Sequence, residues 1–200
     1  ISPAYLNKIV WRRLSQMVDE ILLNFDESKH KTFFEEIDLT ELIDNIIQNI
    51  PAEHTNSVSI SVYKPESSLI VRGKRRDIEL LISNMVLNAL QHGVGDDSSA
   101  EIRIRLKKLM IYMKAIIEIE DEGPGINTED QKIVFDAFVR PESTSKSRNG
   151  YGLGLYFCRY SIERLGGSLK LESPYKRADG TLSTGARFTI QIPLYRKRRS

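Results

Sequence analysis

The sequence predicts an α+β fold: a mixed, mostly antiparallel sheet covered by helices and preceded by a long amphipathic helix. Three observations carry this. Apolar residues recur at spacings of three and four over 3–25, 39–50, 75–92 and 152–165. They alternate in strand fashion over 57–63, 100–108, 110–121 and 186–194. The two kinds of segment do not follow one another in the regular strand–helix–strand rhythm of a doubly wound parallel sheet.

The first helix, 3–25, carries Leu6, Val10, Leu14, Met17, Ile21 and Phe25 on a single narrow seam flanked by Lys8, Arg12, Arg13 and Glu20. Such a seam wants a partner helix, which predicts a helical hairpin or a dimeric bundle. The polar run "DESKHKT", 26–32, ends the pattern. A second helix over 39–50 places Leu39, Leu42, Ile43, Ile46 and Ile47 on one face. Asp38 and Glu41 stand at capping-box spacing at its start, and Pro51 closes it. After Pro51 the period changes to two: "SVSISVY", 57–63, then the short "SLIV", 68–71, read as strands. "RRDIELLISNMVLNALQH", 75–92, returns to helical spacing. "AEIRIRLKK", 100–108, and "MIYMKAIIEIED", 110–121, read as neighbouring antiparallel strands. Thr128 and Gln131 offer a cap for a short helix through Phe135, and "RPESTSKSRN", 140–149, reads as a mobile loop. A helix over 152–165 ends at Gly166-Gly167, and "SLKLES", 168–173, and "ARFTIQIPL", 186–194, close the chain as strands.

Composition bounds the function. Two hundred residues at 40% hydrophobic content suffice for one packed domain with a modest appendage. Twenty-nine basic against 27 acidic residues leave a net charge of +2, which argues against a general nucleic-acid surface. The local exception is the terminal "RKRRS", 196–200, which reads as a solvated tail or a membrane or partner contact. A single cysteine, Cys158, excludes an internal disulfide framework and a cysteine zinc cluster, and its helical context predicts a small buried apolar role. No run of about 18 apolar residues occurs and no signal peptide is visible, so the chain is expected to be soluble. Because it starts at Ile1, a fragment of a longer protein is expected.

The chemistry gathers in three places. Asn84 and Asn88 are one helical turn apart and share a face, with His92 continuing the stripe. An asparagine carbonyl is a hard-oxygen ligand suited to Mg²⁺, although two amides on a helix face are also ordinary polar surface. "DEGPGI", 121–126, follows a strand, so the Asp121 carboxylate stands at the mouth of the core, where it can read an exocyclic amine. Gly123 and Gly125 lack side chains that would hold a flat ring away from the backbone, and Pro124 stiffens the turn. A plain strand-to-helix loop is the competing reading. Finally, Gly150, Gly152 and Gly154 lead into a helix whose first N–H groups make an anion site. The spacing is neither the dinucleotide fingerprint nor a Walker loop.

In this order and at these spacings, N-x-x-x-N-A at 84–89, D-x-G-x-G at 121–125, "FDAF" at 135–138 and G-x-G-L-G-L at 150–155 resemble the ATP-binding catalytic domain of sensor histidine kinases. That domain belongs to the superfamily of the gyrase B, heat-shock chaperone and mismatch-repair ATPases. The resemblance covers about 39–194, and "FFEEIDLTELI" after the first helix is similar to that family's link from the dimerisation hairpin. It implies a two-layer α/β sandwich of the Bergerat type over 33–200, with 1–32 as the second hairpin helix and linker. It further implies ATP and Mg²⁺ as cofactors. Asn88 would bind the metal, and Asn84 would lie near the phosphates with it; His92 would stand where the family carries an aromatic residue. Asp121 would accept from the adenine amino group, with Gly123 and Gly125 beneath the ring. From Ile126 to Asn149 the chain would form a lid anchored by Phe135 and Phe138. Gly150, Tyr151, Gly152, Leu153, Gly154 and Leu155 would hinge it and present amides to the triphosphate, and Lys146 or Arg148 would reach the γ-phosphate or solvent.

The implied function is transfer of the ATP γ-phosphoryl to a histidine and onward to an aspartate of a response-regulator receiver domain. The implied parent is a homodimer through 3–25, acting on the cytoplasmic side of a membrane or in the cytoplasm, without nucleic acid. Two departures qualify it. Gln91 stands where the family often has a basic residue, and none of His30, His54 and His92 is followed by the acidic residue, polar residue and proline of a phosphoacceptor. The acceptor is therefore expected upstream of Ile1, and these residues alone are expected to bind Mg-ATP without autophosphorylating. The alternative is a degenerate nucleotide-binding module that pairs with another kinase. An ATPase ranks last, since Asn84 is not a carboxylate that would activate water.

Overall fold

The computed structural model describes residues 34–51, 58–93, 100–139 and 152–196. The helix expected over 3–25 and its linker lie outside the described residues. Elements follow in the order β1 (Glu35–Asp38), α1 (Leu39–Gln48), β2 (Val58–Tyr63), β3 (Ile70–Gly73), α2 (Arg75–His92), β4 (Ala100–Leu109) and β5 (Lys114–Glu120). After these come α3 (Thr128–Ile133), α4 (Gly154–Arg164), β6 (Ser168–Glu172), β7 (Tyr175–Lys176), β8 (Leu182–Ser183) and β9 (Arg187–Pro193).

The main sheet has five strands in the order β2-β4-β5-β9-β6. β2 runs parallel to β4, and every other pairing is antiparallel. The alternation read in the sequence has its physical cause here, because a strand presents successive side chains to opposite faces. Ile102, Ile104 and Leu106 of β4, Ala115, Ile117 and Ile119 of β5, and Phe188, Ile190 and Ile192 of β9 are buried on one face. Leu81, Ile82, Met85 and Val86 of α2, Cys158 and Ile162 of α4, and Leu42, Ile43 and Ile46 of α1 cover them. Each such Val, Leu, Ile, Met or Phe side chain contributes about 1.5–3 kcal/mol on leaving water. The result is the expected α+β, two-layer sandwich. Cys158 is buried as expected, its thiol donating to the Leu81 carbonyl oxygen at 3.7 Å.

The opposite face is charged. Glu120, 1% exposed, meets Arg187 Nη2 at 2.8 Å, Arg103 Nε at 3.4 Å and Arg105 Nε at 3.5 Å. These arginines alternate with the apolar residues of their own strands, so the ion pairs cover the sheet without disturbing the core.

Several expectations are corrected in detail. Residues 110–112 form a 3-10 turn between β4 and β5 rather than strand, and Met113 follows at φ 50°. Asn127, not Thr128, caps α3, its side chain accepting from the Asp130 N–H at 2.8 Å. Asp38 does cap α1, but through the Thr40 N–H at 2.9 Å. Two small sheets were not expected. β1 pairs with β3, and Tyr195 N–H donates to the Ile70 carbonyl oxygen at 2.8 Å, so the chain end is tied to this pair. β7 pairs with β8 as a two-residue-per-strand hairpin.

Candidate functional site

β5 ends at Glu120, and its central place in the sheet carries Asp121 to the sheet edge between helices and loops. Asp121 is 6% exposed. Its Oδ1 accepts two backbone N–H groups, from Gly123 at 3.0 Å and from Ala186 at 3.1 Å. Oδ2 takes no protein donor among the described residues. Burial pushes the carboxyl above its ordinary value, and the two backbone bonds pull against that shift. One oxygen is thus fixed by the fold, while the other has no donor among the described residues.

Glycines allow this packing. A Cβ on Gly93, just beyond α2, would stand 2.4 Å from the Asp121 Cβ, and one on Gly185 would stand 1.9 Å from the Asp121 carbonyl oxygen. Gly125 adopts φ +77°, and a Cβ there would lie 2.1 Å from the Thr184 carbonyl oxygen. The loop is also held by Ser173, whose Oγ accepts the Ile126 N–H and donates to the Gly185 carbonyl oxygen, each at 2.8 Å. Gln131 Nε2 donates to the Ile126 carbonyl oxygen at 2.7 Å, and Thr184 Oγ1 to that of Gly123 at 3.3 Å.

Asn84 is fully buried on α2, and Asn88, one turn on, is half-buried. α4 runs antiparallel beside α2. Cys158 touches Leu81, while a Cβ on Gly73 would meet both Ile78 Cδ1 at 2.9 Å and Leu165 Cδ2 at 3.0 Å. The beginning of α2 therefore lies by the end of α4, and the first turn of α4 at Gly154 faces the half of α2 that bears Asn84 and Asn88. Leu153, buried, and half-buried Leu155 seat that turn. Gly152, at φ +68°, accepts the Phe138 N–H through its carbonyl oxygen at 3.0 Å. A Cβ on Gly152 would meet the Val139 carbonyl oxygen at 2.5 Å, so the two described ends of the expected lid touch.

The expected anchor of the lid divides. Phe135 packs edge-on against Phe188 with centroids 6.5 Å apart, and Arg159 lies 5.8 Å from its ring centre. Phe138 is no anchor: it is 73% exposed at φ +65°. The turn that meets Gly152 directs its ring to solvent. Lys146, Arg148, Gly150 and Tyr151 lie outside the described residues, as does the His92 side chain.

The sequence reading missed Gly93, Ser173, Thr184, Gly185 and Ala186, which hold Asp121 and its loop. "STGA", 183–186, just before the closing strand was the available signal: a turn followed by two small residues at a strand start. Among the described residues no cluster of three or more His, Cys, Asp or Glu could hold a metal, and no helix is long and apolar enough to cross a membrane.

Comparison with known proteins agrees with this geometry. The chain is 29% identical over 164 residues to the signal transduction histidine-protein kinase ArlS of Staphylococcus haemolyticus, covering 80% of this chain and 35% of ArlS. It is 35% identical over 131 residues to the sensor protein ChvG of Rhizobium meliloti, covering 64% of this chain and 22% of ChvG. The chain thus spans well under half the length of these curated relatives. Its fold superposes on the mycobacterial sensor histidine kinase MprB with a TM-score of 0.67 at 23% identity, over 82% of this chain and all of that one. The profile of the family described as histidine kinase-, DNA gyrase B-, and HSP90-like ATPase matches residues 73–196. That match takes in Asn84, Asn88, Asp121 and the α4 glycines and spans more than half of the chain, so the protein belongs to this ATPase family.

Proposed function

We propose that this chain is the nucleotide-binding catalytic region of a two-component sensor histidine kinase. The observation that carries the proposal is the divided carboxylate of Asp121: Oδ1 is committed to Gly123 and Ala186, and Oδ2 is left to accept from the adenine amino group. A buried polar acceptor with one open position discriminates strongly between a base that donates there and one that does not.

In this reading Gly123 and Gly125 let the ring lie on the loop, and Ile126 closes its far side. Gly152, Leu153, Gly154 and Leu155, with Gly150 and Tyr151 before them, present amides to the triphosphate at the start of α4. Lys146 or Arg148 approaches the γ-phosphate. Half-buried Asn88 suits a Mg²⁺ ion that keeps most of its ligands as water and phosphate oxygen, in accord with the lack of an acidic cluster among the described residues. Asn84, fully buried, sets the base of the same helix face, and His92 ends it. The metal, when bound, neutralises charge on the transferring phosphoryl group. The chain's own work is positioning and water exclusion, by Asp121 at the base and by the segment between Phe138 and Gly152 at the phosphates. The acceptor histidine is not among His30, His54 and His92, so the phosphoryl passes to a histidine outside these 200 residues and then to a response-regulator receiver domain. Residues 1–32 would form the second helix of a dimerisation hairpin and its linker, joined to a catalytic domain over 33–200 on the cytoplasmic side of the parent.

Calorimetric titration with ATP in Mg²⁺ tests the proposal. Saturable binding that Asp121→Asn abolishes or greatly weakens is expected, with negligible autophosphorylation of this chain alone. Absence of saturable binding, or binding indifferent to Asp121→Asn, would overturn it. A second reading, a degenerate module that binds nucleotide weakly and pairs with another kinase, is favoured by Gln91, a half-buried neutral residue on α2 where a basic one would meet phosphate. Acid-labile phosphohistidine on an added acceptor-bearing partner would decide for the active enzyme.

A further inference from the structure

We infer that Glu122, the neighbour of Asp121, is a positioning residue that sets the base selectivity of the pocket through a clamp on the β7–β8 hairpin. The inference rests on the adenine-reading role proposed for Asp121. Glu122 is the meeting point of four side chains from three separate parts of the chain. Its Oε1 accepts from Arg177 Nε at 3.0 Å, from Tyr175 Oη at 3.3 Å and from Arg103 Nη2. Its Oε2 accepts from Ser183 Oγ at 2.7 Å and from Arg177 Nη2. Arg177 is thus bidentate on the carboxylate, the strongest and most directional arrangement available to an arginine.

The clamp reaches both donors of Asp121. Gly123, which gives the first N–H to Asp121 Oδ1, is the residue after Glu122. Ala186, which gives the second, follows Ser183 by three residues, and the intervening segment is stiff: Gly185 N–H donates to Ser183 Oγ at 3.1 Å. Arg177 also holds the hairpin itself, donating through Nη1 to Thr181 Oγ1 at 3.1 Å and to the Leu182 carbonyl oxygen at 3.0 Å. On the other side Arg103 anchors Glu122 to β4, and Glu101 of β4 and Glu120 of β5 share its guanidinium. The path from Glu122 to both N–H groups that orient Asp121 is therefore short: one peptide bond to Gly123, and the Ser183 hydrogen bonds plus one peptide bond to Ala186.

The tolerance at the end of that path is small. Gly185 and Gly125 leave no room for even a methyl group between the loop and the strand that faces it. If the hairpin loosens, the Ala186 N–H withdraws from Oδ1, the carboxylate rotates, and Oδ2 no longer faces one fixed direction. A freely turning carboxylate still attracts an amino group but discriminates less against a base carrying a carbonyl there. Glu122 touches no nucleotide in this scheme. It acts through Asp121.

The test compares ATP with ITP, which replaces the adenine amino group by a carbonyl oxygen. Dissociation constants of both nucleotides in Mg²⁺ are measured for the wild type, Glu122→Ala and Arg177→Ala, alongside thermal melts. Both variants are expected to bind ATP about tenfold more weakly while ITP changes by less than about twofold, so that the preference for ATP falls about tenfold. A role in stability alone would lower the melting temperature and leave the ratio unchanged, and that result would overturn the inference. Should Glu122→Ala not fold, Arg177→Ala carries the comparison, since this side chain is 30% exposed and lies outside the apolar core. A wild type that binds ATP and ITP equally would overturn the reading of Asp121 itself, and the clamp's role with it. A selective wild type with equally selective variants would overturn only the clamp.

Discussion

Asp121 Oδ1 accepts the Ala186 N–H at 3.1 Å across 65 positions of sequence, and this bond decides what the other carboxylate oxygen can do. With Oδ1 held from both sides, by Gly123 and Ala186, an asparagine at this position would keep its Oδ1 on the same donors. In the proposed adenine-reading arrangement its Nδ2 would then face the adenine amino group, donor against donor.

Asp121→Asn is therefore expected to lose roughly tenfold to a hundredfold in ATP affinity, the weight of one hydrogen bond to a charged group, while its fold remains intact. The stability effect has the opposite sign. Burial raises the Asp121 carboxyl above its ordinary value, so the stability it contributes is fully present below the unfolded-state value and is lost as pH rises through the folded one. Wild type and variant should melt together at about pH 3–4, and the variant should melt at the higher temperature near about pH 7. Calorimetric titration and thermal melts at the two pH values check both halves.

Two glycines of positive φ separate strain from contact. Gly125, at φ +77°, has the Thr184 carbonyl oxygen 2.1 Å from where its Cβ would be; Gly180, at φ +89°, has only the end of Lys176, at 3.8 Å. Gly180→Ala is expected to cost about 1 kcal/mol from backbone strain alone and to leave ATP binding unchanged. Gly125→Ala adds a backbone clash beside Asp121 and is expected to cost more than about 2 kcal/mol and to weaken ATP binding. Urea unfolding with parallel nucleotide titration measures each. Equal stability losses would show that the clash at Thr184 is relieved by a shift.

The reading of Asp121, Gly123 and Gly125 was available from the sequence because everything it needed was local. An alternating strand ran into an acidic residue and two glycines. Much of what holds Asp121 and its loop in place is not local. Ala186 and Gly93 reach Asp121 from other elements, and Ser173 reaches its loop through Ile126 and Gly185; neither Ser173 nor Ala186 carries a side chain that marks a ligand site. The β7–β8 hairpin escaped because two-residue strands show no period to count. β1 escaped because "EEID" is half acidic, and only its pairing with β3 makes it a strand. Phe138 misled because sequence gives the type of a side chain and not the φ angle that turns it outward.

Ser173 joins the two chain segments around the site, taking the Ile126 N–H and giving its own hydrogen to the Gly185 carbonyl oxygen. Ser173→Ala leaves a donor and an acceptor without that partner at a site only 8% exposed. A loss of about 1–3 kcal/mol is expected by chemical denaturation. Because Gly185 precedes Ala186, ATP affinity should fall as well. Unchanged affinity at reduced stability would place the bond outside the path that orients Asp121.

Asn88 and Asn84 share a helix face but differ in access, and the metal should distinguish them. Half-buried Asn88 can offer its amide oxygen outward, whereas Asn84 is fully enclosed. Asn88→Ala is expected to remove most of the gain in ATP affinity that Mg²⁺ confers and to leave affinity in chelator unchanged, because an ion with few protein ligands depends on each of them. Asn84→Ala is expected instead to cost about 1–3 kcal/mol of stability, through the loss of a buried polar side chain, and so to lower the melting temperature. Titrations with and without Mg²⁺, paired with melts, separate the two. A Mg²⁺ dependence that survives Asn88→Ala would place the metal's protein ligand elsewhere.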